Sequence, residues 1–282
     1  MMSKEYQIGR YHIILPSDHL LDSYQSTWLR YDTALGYIAQ AIFQKYPESS
    51  AIDIGANVGD SAALIKQYSD IPVLCIEGNP NFLEYLKQNA FRIGGVEIAE
   101  CFVGKDGELV NLDRLFSSGG TASIVQAIDR EGTTVVPTKS LELILSDYPI
   151  FKNAKLLKID TDGFDFYIIE TSLEAIEGLA PVIYFEYDIS FQNQGEEAGL
   201  ATIQNLFDIG YEYFMVYDNY GNYLISLSHQ EYDRFLDLTS YLASNRKKSG
   251  TPVVHYFDIC AFTENDIDLF ESIRLGEINL NF

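Results

Sequence analysis

From Ser50 onward, short apolar runs alternate with longer stretches whose apolar residues recur every third or fourth position. The first pattern suits a strand covered on both faces and the second an amphipathic helix; their regular alternation marks βαβ units on a parallel sheet. Seven strands are predicted, over 51–54, 73–76, 96–103, 156–159, 182–185, 213–217 and 253–262, each bounded by Gly, Pro, Asp or Asn. Helices are predicted between them over 59–68, 80–89, 164–176 and 196–207, with Pro80 at a first-turn position. Two stretches break the alternation. Residues 104–138 read as a β-rich or loop insert before a helix over 139–145. Residues 218–252 read as a hairpin turning at Asn219, Tyr220, Gly221 and Asn222, then a helix over 229–243 that ends in the basic run Asn-Arg-Lys-Lys-Ser-Gly. Ahead of all this, a strand over 11–15 and a helix over 32–45, with Ala34, Leu35, Ile38, Ala39 and Ile42 in one stripe, form an N-terminal cap over residues 1–49. The expected architecture is α/β: a Rossmann-like, doubly wound sheet of seven mostly parallel strands over 50–282, with the cap packed on it.

Charge narrows the partners. With 19 Lys+Arg against 41 Asp+Glu the formal net charge is −22, which works against a nucleic-acid surface and against anionic membranes. Cys75, Cys101 and Cys260 are odd in number and sit in apolar runs, so they read as small core residues rather than a disulfide framework. No secretory-type apolar segment opens the chain and no run is long enough to span a bilayer, so the expected location is the cytoplasm, without membrane insertion.

The stretch AIDIGANVGDSAALI carries the clearest chemistry: a buried strand reaches Asp53, turns through Gly55, Ala56, Asn57, Val58 and Gly59, and enters a helix. Glycines there let the backbone bend tightly and let a ligand approach without meeting a Cβ. The spacing is not that of a dinucleotide turn, and a carboxylate at Asp53 would repel pyrophosphate while attracting an amino group and a sulfonium. S-adenosylmethionine is a ligand of that kind. Glu77, ending the next strand ahead of Gly78, is placed to accept both ribose hydroxyls, and Phe102 and Val103 to border adenine. A turn-stabilising role for Asp53 and a solvated strand end for Glu77 are the plainer alternatives.

Taken together, IDIGANVGDSA, IEGNP, LLKIDTDGFDFYII and VIYFEYD resemble the FkbM-type class I methyltransferases, and GGTASIV and HYFDICAF add to the likeness. The resemblance implies a class I fold whose last strand runs antiparallel, S-adenosylmethionine as cofactor and methyl transfer to a hydroxyl oxygen of a sugar or a natural product. A departure is TDG where the family often has V-E-G, leaving the shorter acid Asp162 in that position.

An aliphatic hydroxyl is a poor nucleophile at neutral pH, so a base or a metal ion should assist it. Asp160, Asp162 and Asp165 fall within one strand-to-helix turn, and Glu186 and Asp188 end the next strand. Asp160, Asp162 and Glu186 are the candidate catalytic acids, with Asp160 also facing the cofactor. Asp162 as a helix cap and Asp165 as a first-turn acid stand beside that reading. Hard oxygen donors in such number suit Mg²⁺ or Ca²⁺ rather than zinc, with Asp160 and Asp188 the candidate ligands. Among the histidines, His12 and His19 read as surface residues of the cap, His229 as a first-turn residue and His255 as part of the last strand. Tyr211, Tyr213, Tyr217, Tyr220 and Tyr223 crowd the hairpin, either as strand-forming aromatics or as stacking surfaces for a sugar ring, and Trp28 and Tyr31 border the same crevice. A sugar or glycan hydroxyl is the preferred acceptor; a polyketide, peptide or other secondary metabolite, and a cofactor-binding module without turnover, are the alternatives.

Overall fold

The computed structural model describes residues 2–124, 134–191, 195–247 and 253–280. Nine residues of the insert and the last Lys-Ser-Gly of the basic run lie outside the described residues. The chain opens with a hairpin, β1 (Ser3–Ile8) and β2 (Tyr11–Pro16), followed by α1 (Leu21–Thr27) and α2 (Thr33–Lys45). Then come β3 (Ser50–Ile54), α3 (Asp60–Tyr68), β4 (Val73–Glu77), α4 (Pro80–Ile93) and β5 (Val96–Glu100). The insert carries β6 (Leu109–Asn111), β7 (Leu115–Ser118), β8 (Thr121–Ile124) and β9 (Val135–Pro137), and α5 (Leu141–Asp147) follows it. The second half runs β10 (Ala154–Ile159), α6 (Asp165–Thr171), α7 (Leu173–Leu179), β11 (Val182–Tyr187), α8 (Glu196–Asp208), β12 (Tyr211–Asp218), β13 (Tyr223–Ser228), α9 (Tyr232–Lys247), β14 (Phe257–Thr263) and α10 (Ile267–Leu280).

One eight-stranded sheet organises the molecule, in the order β13-β12-β14-β11-β10-β3-β4-β5. Its first-laid half is parallel, and β14 enters antiparallel to both β11 and β12, so the fold is a Rossmann-like class I α/β sheet. The eighth strand, β13, is the outer arm of the expected hairpin. The fully buried residues of β3 and β4 and the buried run 156–159 of β10, apolar except for Ser50, Asp53, Glu77 and Lys158, follow from cover on both faces. On one face Ile52, Leu157, Phe185 and Phe214 meet α5, α6, α8 and α9; on the other Ala51, Cys75, Leu156 and Phe262 meet α2, α3 and α10. Burial of residues such as Phe151, Phe185 and Phe214 stabilises each by about 1.5–3 kcal/mol. The β1–β2 hairpin packs Ile8, Ile13 and Leu15 on α3 and α4 through Val58, Ala63, Phe82 and Tyr85.

Three boundaries differ from expectation. The helix predicted over 164–176 breaks at Ser172, where the Thr171 hydroxyl donates to the Tyr167 carbonyl at 2.8 Å and competes with the helical ladder. The third sheet strand stops at Glu100, and Val103 keeps only a single bridge to Lys139. The last strand begins at Phe257 because the stretch before it bonds to the hairpin turn instead of the ladder: His255 N–H donates to Asn219 Oδ1 at 2.9 Å, and the Tyr220 hydroxyl donates to the Val253 carbonyl at 2.6 Å. Among the described residues no helix is long and apolar enough to cross a membrane.

Candidate active site

Strand β3 delivers Asp53, fully buried, to the point where the chain turns, and β10 runs beside it with Lys158 directly opposite. Lys158 is 5% exposed, a buried charge in β10, and it is there to be paired: Nζ lies 3.4 Å from Asp53 Oδ1 and 3.1 Å from Asp160 Oδ2. Burial pushes the Asp53 carboxyl up to about 6, with Lys158 pulling it back. Asp53 therefore stands behind the site wall as the partner of Lys158, and Ala56 and Gly59 are buried beneath the turn with it.

Gly55 adopts φ +78°, and a Cβ there would sit 1.9 Å from the Asp160 carbonyl oxygen, so only glycine lets the two strand ends come together. Asn57, at φ +51°, donates its backbone N–H to Glu77 Oε2 at 2.9 Å, and Asn79 N–H donates to Oε1 at 2.6 Å. Both Glu77 oxygens are thus fixed, and burial raises its carboxyl to about 7 against those N–H donors. Gly78 lies under the Phe102 ring, whose carbons would be 2.4 Å from an added Cβ.

These turns enclose a cavity of about 450 Å³ walled by Gly55, Asn57, Glu77, Gly78, Phe102, Val103 and Asp160, with Glu108, Leu109 and Val110 of the insert and Tyr167 opposite. An acid, a glycine floor and an aromatic ring at successive strand ends fit a nucleoside. Seven of the ten residues expected to hold the cofactor line it; Asp53, Ala56 and Gly59 support it from below.

A second cavity of about 370 Å³ continues past Gly55, Asn57, Asp160 and Asp162, which wall both. Here the chain assembles distant segments: His19, Tyr24, Trp28, Tyr31 and Asp32 from the N-terminal region, Asp60 from α3, Gly119 and Gly120 from the insert, Glu186 and Asp188 from the end of β11, and Tyr220, His255 and Tyr256 from the hairpin and the approach to β14. The assembly is clamped. Asn57 Nδ2 donates to the Gly120 carbonyl at 2.5 Å and Leu20 N–H to Gly119 at 3.0 Å, while Gly221 at φ +79° packs on the Arg30 backbone and sets Tyr220 4.7 Å from Trp28. Tyr24 and Tyr31 complete that ring cluster at 5.5 Å.

Asp32, Asn57 and Asp162 all hold left-handed backbone without being glycine, and all line this second cavity. Short polar side chains tolerate that conformation, and its concentration here marks a built site. Burial lifts the Asp32 carboxyl to about 8, helped by Asp60 and Asp160. Burial also raises Glu186 well above the usual carboxylate range, reinforced by Asp160, Asp165, Asp162 and Asp188. Asp165 is structural: fully buried, it accepts from Thr161 Oγ1 at 2.9 Å and from Glu186 N–H at 3.4 Å, tying the two strand ends together.

The Mg²⁺ expectation is not supported. Among the described residues no three His, Cys, Asp or Glu side chains gather as ion ligands; Asp160 is engaged by Lys158 and Asp188 accepts Ser190 N–H at 2.6 Å. The acids surround the cavity rather than converge on a point. His19 is not a surface residue: it is 7% exposed and lines the cavity, whereas His255 is exposed and precedes its strand. Asp32, Asp60 and Lys158 were not singled out from sequence; a lysine inside the apolar run LLKID was the one available signal.

An α/β sheet whose strand ends enclose a cavity fit for a nucleoside, beside a second, acid-walled cavity, is the architecture of a group-transfer enzyme using a nucleoside-type cofactor. The model of the methyltransferase FkbM domain matches residues 53–213, more than half of the chain. The protein belongs to this family and is an S-adenosylmethionine-dependent methyltransferase. No match was found among curated proteins. Similar solved structures include an FkbM methyltransferase from Methylobacillus flagellatus, at 14% identity over 74% of this chain and 58% of that one, TM-score 0.44. Others are a precorrin-6y C5,15-methyltransferase from Geobacter metallireducens (14% identity, 77% and 80% covered, TM-score 0.39) and a SAM-dependent methyltransferase from Agrobacterium tumefaciens (6%, 93% and 70%, TM-score 0.48).

Proposed function

We propose that the enzyme methylates a hydroxyl oxygen of a sugar or glycan. The observation that carries this reading is the second cavity, which several carboxylates and an aromatic cluster line and which shares Asp160 and Asp162 as wall residues with the cofactor cavity. Carboxylates accept hydrogen bonds from many hydroxyls at once, and rings such as Trp28 and Tyr220 stack on the C–H face of a pyranose.

The glycine floor at Gly55 and Gly78, the two-oxygen cradle of Glu77 and the Phe102 ring fit S-adenosylmethionine, with Glu77 at the ribose and Asp160 at the amino end. When bound it supplies an electrophilic methyl group on a positively charged sulfur. Lys158 and Asp53 keep Asp160 in place at the shared wall. The ring cluster and the clamped Gly119–Gly120 turn orient the acceptor and exclude water, supplying the positioning that an in-line transfer needs. Glu186 takes the hydroxyl proton. Its carboxyl is pushed upward in the free site, and positive charge entering next door draws it back toward the carboxylate, which matches the base to neutral pH.

The test is transfer of isotope-labelled methyl from S-adenosylmethionine into an extract of the source cells, followed by acid hydrolysis and mass spectrometry of the labelled fraction. An O-methyl monosaccharide is the expected product. Label confined to small organic-soluble molecules, or to protein, would overturn the sugar reading.

A further inference from the structure

We propose that Tyr256 is a second catalytic group at the transfer point, its phenol O–H donating to the same acceptor oxygen whose proton Glu186 takes. This rests on the hydroxyl reading above and deepens it, giving the acceptor oxygen a donor as well as a base. The sheet register places the residue. β11 and β14 pair antiparallel with Glu186 opposite Asp258 and Tyr187 opposite Phe257, so one step beyond the ladder Tyr256 comes opposite Asp188 and diagonal to Glu186. Residues directly opposite share a face of the sheet, as do residues two apart along a strand. Glu186, Asp188 and Tyr256 accordingly all belong to the wall of the second cavity. Diagonal neighbours are within reach of aromatic and long side chains, so the Tyr256 ring and the Glu186 chain flank one space.

The hydroxyl is unengaged. Among the described residues it has no hydrogen-bond partner, whereas the buried phenols nearby are taken: Tyr187 bonds Thr239 Oγ1 at 2.8 Å and Tyr211 donates to the Pro181 carbonyl at 2.7 Å. A phenol set into a protein wall normally finds a partner, and the space in front of this one is the acceptor cavity. Burial, reinforced by the carboxylates of Asp258, Glu186 and Asp160, holds its pKa well above the ordinary phenol value, so it stays a neutral donor and leaves the role of base to Glu186. A hydroxyl oxygen has one proton and two lone pairs. With the proton on Glu186 and one lone pair held by Tyr256, a single lone pair is left for the methyl carbon, which fixes the direction of attack. The same O–H stabilises the negative charge that builds on the oxygen as its proton leaves. The oxygen–carbon bond forms as the carbon–sulfur bond breaks, the electron pair of the broken bond goes to sulfur, the proton goes to Glu186, and Tyr256 ends unchanged.

The experiment removes one oxygen and keeps the ring. Tyr256→Phe and the native full-length protein are compared for labelled-methyl transfer from saturating S-adenosylmethionine into a dilution series of source-cell extract, which gives a maximal rate and an apparent acceptor KM. Titration with S-adenosylhomocysteine gives the cofactor Kd, and mass spectrometry after acid hydrolysis identifies the product. In Tyr256→Phe the maximal rate should fall about ten- to a hundredfold, with the acceptor KM within threefold and the cofactor Kd within twofold of native. Introducing 3-fluorotyrosine at position 256, which restores the O–H, should recover at least a third of the native rate. A native rate in Tyr256→Phe, a loss of cofactor affinity in it, or no recovery with 3-fluorotyrosine would overturn the role of Tyr256, and an O-methyl sugar product would then leave the sugar reading standing. An O-methyl product outside the sugar fraction would overturn the sugar while the rate loss upholds Tyr256; an N-methyl product would overturn both.

Discussion

The two cavities share a wall and differ in how they are made. The cofactor cavity is built mainly from the turns after β3, β4 and β10, where each residue sits at the end of the strand that delivers it. The second cavity draws on the N-terminal region, the insert, the end of β11 and the hairpin, brought together by contacts such as Asn57 on Gly120 and Gly221 on Arg30. One is fixed by local backbone geometry and the other by long-range assembly. Substitutions in the first should therefore weaken cofactor binding, and substitutions in the second should spare it.

Gly55→Ala should have the largest effect, because the added Cβ meets the Asp160 backbone and the φ is left-handed. Cofactor affinity, read by titration with S-adenosylhomocysteine, should fall at least a hundredfold; an unchanged affinity would remove the glycine floor from the account. Lys158→Met comes next. It leaves Asp53 buried without its cation and should destabilise the fold by about 3–5 kcal/mol, with part of the loss recovered by adding Asp53→Asn. Denaturant unfolding of the single and double variants checks this.

Glu77→Ala removes a charged acceptor and should weaken cofactor binding by about 1.5–3 kcal/mol, roughly ten- to a hundredfold. Trp28→Ala opens the ring cluster and should raise the acceptor KM about tenfold while the cofactor Kd stays within twofold, the contrast that most sharply separates the cavities. The smallest effect is pH dependence. Asp53, Glu77 and Asp32 have carboxyls raised to about 6, 7 and 8, so the folded ligand-free protein holds protons that the unfolded chain has released. Their contribution is complete below the ordinary carboxylate pKa and is lost as pH rises through 6 to 8, so Tm should fall over that window and fall less in Asp32→Asn. A Tm that climbs over the same window would contradict these environments.

The legibility of each cavity in the sequence follows the same division. Apolar runs and the Gly55 to Gly59 turn are local signals, so the strand ends and most of the cofactor wall could be read from them. Asp32 and His19 could not, because their burial arises only when the N-terminal segment, the insert and α3 meet. The pairing of Asp53 is not legible for a related reason: its partner, Lys158, is far along the chain and adjacent only across the β3–β10 register. β1, α1 and α10 escaped notice because their patterns are short or weak and their burial comes from neighbours.

The central claim is that Glu77 serves the cofactor and Glu186 the transfer. Cofactor affinity and labelled-methyl transfer should be measured side by side in the native enzyme, Glu77→Ala and Glu186→Gln. The account expects Glu77→Ala to lose affinity tenfold or more, and Glu186→Gln to keep native affinity while its transfer rate at saturating cofactor falls at least a hundredfold. Native transfer in Glu186→Gln, or native affinity in Glu77→Ala, would contradict it.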